Sequence, residues 1–157
     1  MTKKSIIIII SSLSLLVLII TSCSNDDEKL SLDGEKFVKI ESPISYDEFI
    51  NKAIGEWQET EHRYINADGT LQSPVDFSQL VGGHLGRMKI ENEIIFRYRG
   101  TLGIDEWQKY SYTYNPLNNS IYIDGQRVMQ ILSITEVSMI AIESSYPNYS
   151  YCTYVKK

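Results

Sequence analysis

Glu59, Glu61 and His62 put two carboxylates and an imidazole within four positions. Two carboxylates two residues apart on a strand share a face, and paired carboxylates can do general acid–base hydrolysis. Arg63 follows directly, however, and the whole set reads as a solvated strand face carrying surface charge. The second histidine, His84, sits in Gly82-Gly83-His84-Leu85-Gly86, a flexible run without a partner in register. The two histidines do not reproduce a zinc-ligand spacing. The glycines lack the lysine and following Ser or Thr that a phosphate loop needs. Asp105-Glu106 reads as surface charge. Cys152 lies between Tyr151 and Thr153 with no histidine or carboxylate near it in sequence. It reads as a small apolar filler of a C-terminal strand. These residues assign no catalytic group, no metal ligand and no cofactor, and the chain is expected not to be an enzyme.

Aromatic residues offer the other chemistry. Tyr110, Tyr112 and Tyr114 alternate with Lys109, Ser111 and Thr113, so the three rings share one strand face. Ile94, Phe96 and Tyr98 do the same against Glu93, Arg97 and Arg99. Such rings stack on a bound sugar or apolar molecule, or bury themselves as core.

The elements that must position these groups are one helix and many short strands. Ser45 with Glu48 three residues later is a capping box, and Tyr46, Phe49, Ile50 and Ala53 fall on one face, giving a capping helix over 45–54. Gly55 stops it. Strands are expected at 57–65, 93–99, 107–115, 120–123, 127–134, 137–143 and 149–155, with tight turns at Asp68-Gly69 and Asp124-Gly125. Pro74, Gly82, Gly83 and Gly86 break up residues 71–88, which read as a loop or poorly formed strands. Hairpin-like links between successive strands favour up-and-down order.

Gly55-Glu56-Trp57 at the start of the first strand resembles the G-x-W signature of lipocalins and lipocalin-like lipoproteins. Asp68-Gly69-Thr70, Tyr112-Thr113-Tyr114, Ile131-Leu132-Ser133-Ile134 leading into Val137-Ser138-Met139-Ile140, and a tyrosine-rich last strand agree with it. The resemblance covers roughly residues 54–157 and implies an all-β fold: a small antiparallel up-and-down barrel with one short N-terminal helix. It implies that Trp57 plugs the closed end. Trp57, Phe96, Tyr98, Tyr110 and Tyr112 are then the expected ligand-binding residues. The chain departs from the family in its shorter domain and in showing no basic residue placed to stack on Trp57. Bulky side chains, among them Met129 and Ile131, could also simply fill the interior.

The front of the chain supplies an address. Lys3 and Lys4 open it, an apolar run follows from Ile6 to Ile20, and Thr21-Ser22-Cys23 closes it. That order is a secretory signal, and the placing of Cys23 resembles the bacterial lipobox, in which the cysteine is lipidated and the signal is cut before it. Residues 1–22 are thus expected to be a lipoprotein signal peptide, 23–43 a flexible acidic tether, and 44–157 the lipocalin-like barrel domain. Several acyl chains on one residue anchor stably where one does not. Asp26-Asp27-Glu28 resembles the acidic export signal of surface lipoproteins, which would expose the domain at the cell surface.

Losing Lys3 and Lys4 with the signal moves the formal net charge from −5 to −7. An acidic body repels phosphate backbones, so nucleic acid is not an expected partner. With Cys23 used for lipid, Cys152 is left alone, without a disulfide or a cysteine metal cluster. The expected protein is a lipid-anchored outer-membrane lipoprotein, reaching the membrane through Cys23, that binds a small apolar or amphipathic ligand. The alternative is a structural or accessory module that binds an envelope protein partner.

Overall fold

The computed structural model describes residues 29–32, 37–76, 86–101, 104–145 and 148–157. The expected signal peptide 1–22, Cys23 and His84 lie outside them.

Helix α1 spans Tyr46–Ala53. The Ser45 side chain accepts the backbone N–H of Glu48, as the capping pattern requires. Glu48 does not return the bond and pairs instead with Lys52, four residues on. Nine strands follow: β1 Gly55–Tyr64, β2 Arg87–Glu91, β3 Ile94–Thr101, β4 Ile104–Ser111, β5 Thr113–Asn115, β6 Ser120–Ile123, β7 Gln126–Ile134, β8 Ser138–Ser145 and β9 Asn148–Lys156. They form one antiparallel sheet in the order β4-β3-β2-β1-β9-β8-β7-β6-β5. The two ends of that sheet are consecutive pieces of one chain. The run 104–115 pairs with β3 through its first part and with β6 through its last, and it breaks at Tyr112. The sheet therefore curls into a nearly closed up-and-down barrel, the all-β, lipocalin-like architecture expected. Closure leaves little free strand edge, which would otherwise invite pairing with another chain.

One end of the barrel is sealed. Phe49 of α1 stacks on Tyr114 at 4.0 Å between ring centroids and meets Tyr112 edge-on. Trp57, Ile95, Ile121, Met129, Ile131 and Met139 fill the space behind them. Trp57 is fully buried and its indole N–H donates to the Ala53 carbonyl at 2.7 Å, fixing the helix exit. A basic residue does stack on it: the Lys156 ammonium lies 5.3 Å from the ring and also caps the helix through the Lys52 carbonyl. Gly55, at φ +139, makes room, since a Cβ there would meet Lys156 Cε at 2.6 Å.

One expectation needs correction and another is sharpened. Over its described part, 23–43 is not a free tether. Leu30, Leu32, Phe37 and Val38 pack on the outside of the barrel against Ile65, Leu71, Leu132, Ile142, Tyr149 and Tyr151. Leu30 donates to the Gly69 carbonyl, and the buried Gln130 side chain bonds both the N–H and the carbonyl of Val38. The acidic cluster suggested a solvated segment, but the apolar residues after it had an outer strand face to cover. Residues 71–88, expected as a loop or poorly formed strands, end in a strand. Arg87 and Met88 belong to β2, and Gln72 and Val75 donate to the Tyr64 and His62 carbonyls of β1, while 77–85 lie outside the described residues.

Candidate functional site

Of the solvated face expected at Glu59, Glu61 and His62, Glu61 stays part-exposed and pairs with Arg63, whereas Glu59 and His62 face the interior. Strict alternation from Trp57 places Glu59 inward and His62 outward. The β1–β9 register shifts by one residue between Glu59 and Glu61, so Thr60 is extra and the strand resumes with His62 opposite Cys152. Such a bulge re-aims every later side chain. Glu59, His62, Cys152 and Tyr154 now face the same interior. Glu59 is only 4% exposed and Cys152 only 1%.

Their contacts are specific. His62 Nδ1 lies 2.8 Å from Glu59 Oε1 and 3.6 Å from Cys152 Sγ. Glu59 Oε2 accepts the Gly86 N–H at 2.7 Å. Burial alone would raise the Glu59 carboxyl, but the bonds from His62 and Gly86 outweigh it and hold the group below its ordinary value. Burial first, and then the charges of Glu143 and Glu59, push the Cys152 thiol up. A thiol nucleophile needs the opposite shift, and a relay needs carboxylate and thiol on different ring nitrogens. Here both meet Nδ1, so the trio is not a nucleophile relay.

A second polar group crosses the barrel. Arg97 of β3 pairs with Glu143 of β8, and the Tyr154 hydroxyl donates to the other oxygen of that carboxylate. Glu143 raises Arg97 further above its already high value, and burial foremost keeps Tyr154 neutral. The sequence puts Arg97 opposite the face of Ile94, Phe96 and Tyr98; in the structure Ile95 is buried and Arg97 lies inside, and Tyr98 still reaches the cavity lining. A signal existed at β8, where Met139, Ala141 and Glu143 share one parity, so a carboxylate continues an apolar stripe. An inward carboxylate needs a cation, and Arg97 is it.

Between these groups and the end away from α1, the described residues line a cavity of about 420 Å³. Glu59, His62, Arg97, Glu143 and Tyr154 form its polar wall with Met88 among them, and Tyr110, Ile123 and Val128 its apolar one. Of the five expected ligand-binding residues, Tyr110 lines the cavity, its hydroxyl held by Gln108 at 2.5 Å. Tyr98 contributes beside Arg87, whose guanidinium lies 5.2 Å from its ring. Trp57 and Tyr112 are in the sealed core, Tyr112 donating to the Glu91 carbonyl. Phe96 is on the other face of β3 from Ile95 and Arg97, next to the Lys89 ammonium. No family model, no curated protein and no solved structure matches this chain.

Proposed function

We propose that this chain is a lipid-anchored envelope protein, acylated at Cys23 and held at the outer membrane, whose barrel takes up one small amphipathic molecule. The observation that carries the reading is the cavity beside the Arg97–Glu143 pair. Its 420 Å³ falls in the size range of small-molecule sites, and it offers one polar and one apolar wall. The polar groups on that wall are already partnered, Arg97 by Glu143, and Glu59 by hydrogen bonds with His62 and the Gly86 N–H. An incoming anion would have to displace Glu143 from Arg97, at the cost of leaving a carboxylate buried alone. An uncharged molecule with a hydrogen-bonding end meets no such penalty.

The test is titration of the full chain with the neutral fluorophore N-phenyl-1-naphthylamine, read as fluorescence enhancement and displacement. Saturable one-to-one binding is expected, at least tenfold tighter than that of a fluorescent fatty-acid anion. Val128→Trp fills the apolar wall and should abolish it while leaving the far-UV circular dichroism unchanged. Enhancement that persists undiminished in Val128→Trp would place the fluorophore outside the cavity and overturn the reading.

A further inference from the structure

Glu59, His62 and Cys152 bring a carboxylate, an imidazole and a thiol together inside the barrel, with one donor atom of each within 4.8 Å of the others. We propose that this trio is a zinc site at the cavity wall, with the metal held by Glu59 Oε1, His62 Nδ1 and Cys152 Sγ.

The geometry fits that ion. Bonds of about 2.3 Å to sulfur and 2.0–2.1 Å to nitrogen at a tetrahedral angle put the two donors about 3.5 Å apart. Cys152 Sγ and His62 Nδ1 are 3.6 Å apart. The Glu59 oxygen, at 2.8 Å from the same nitrogen, sits at hydrogen-bond distance and needs to move only about half an ångström to become a ligand. The bond from the Gly86 N–H to Glu59 Oε2 leaves Oε1 aimed at the other two donors. Partners of this kind, holding a ligand by its second atom, sharpen metal sites. Two of the donors are fixed by paired strands: His62 and Cys152 are directly opposite each other across the β1–β9 ladder.

The donor set also chooses among metals. A thiolate ligand disfavours magnesium and calcium, which take oxygen donors, and a mixed sulfur, nitrogen and oxygen set suits zinc. Three protein ligands are the number found where zinc keeps a fourth position open. Glu59 and His62 also line the cavity, so the metal borders it.

The experiment uses the full chain carrying Cys23→Ser, which leaves Cys152 as the sole thiol. Zinc is titrated in competition with a chromophoric chelator, and cobalt(II) is added separately as a spectroscopic probe. One equivalent of zinc is expected to bind, and cobalt is expected to show a thiolate-to-metal charge-transfer band in the near ultraviolet. Adding Cys152→Ser should remove that band, and His62→Gln or Glu59→Gln should weaken zinc binding at least tenfold. His62 is partly exposed, so His62→Gln tests the site even if a change at the buried Cys152 does not fold. Absence of stoichiometric zinc, or zinc bound equally well by the His62→Gln protein, would overturn the proposal.

Discussion

Arg97 and Glu143 are two charges that the fold has taken inside together, and each is tolerable only because of the other. Arg97→Met leaves Glu143 buried without its counter-charge; since the Arg97 side chain retains 31% exposure, the expected loss is modest, about 2 kcal/mol by urea unfolding. Adding Glu143→Gln should recover at least half of that, because an amide needs no cation and still accepts from Tyr154. Tyr112 sets a different limit. Burial pushes its hydroxyl up to about 12, against 10 in the open chain. A group with a raised folded value contributes stability that is fully present below the unfolded value. That contribution is lost as pH rises through the folded one. Stability should therefore fall between about pH 10 and 12, and Tyr112→Phe should flatten that part of the curve, measured by thermal unfolding across alkaline pH. The neutral-pH cost of that variant, about 1 kcal/mol, reflects its lost bond to Glu91.

At the scale of elements, alternation and turn chemistry placed the helix, most strands and both Asp-Gly turns, with Gly69 at φ +88 and Asp124-Gly125 both at positive φ. What alternation could not give was parity after an irregularity. Thr60 adds one residue to β1, and nothing in Glu59-Thr60-Glu61-His62 marks it, so His62 read as outward. Likewise Cys152 stood ninety residues from His62, and only the closing β1–β9 ladder brings them together. On β3, apolar residues on both faces made either orientation plausible, and the partner that decides it, Glu143, lies on a strand across the barrel. The outer strap formed by 29–32 and 37–38 was hidden for a related reason: its apolar residues find partners on β7, β8 and β9, all distant in sequence. Phe37 is 2% exposed and meets Tyr149 edge-on. Phe37→Ala should release the strap by about 2–3 kcal/mol, seen as faster limited proteolysis within 29–43, while the barrel beneath keeps its circular dichroism.

For the whole molecule, the barrel has two unlike ends. Helix α1, Trp57, Tyr112 and Tyr114 close one, and the cavity lies toward the other, where the Asp124-Gly125 hairpin and the 66–70 turn are found. Cys23→Ser should move the protein from the membrane fraction to the soluble one on fractionation of the producing cell, the outcome expected if acylation alone retains it. Were Cys23 acylated, the docked strap would give the anchor a short reach. Lys29 bridges to Thr70 and Leu30 bonds to Gly69, so the chain is fastened to the barrel from residue 29, on the turn at the end away from α1. Only six residue steps separate Cys23 from that point, at most about 20 Å fully extended. An acyl group at Cys23 would thus act as a mooring line rather than a long leash, holding the cavity end toward the bilayer. A molecule leaving the lipid would then cross a gap little wider than the barrel itself, and the helix-capped end would face away, toward whatever lies beyond the membrane.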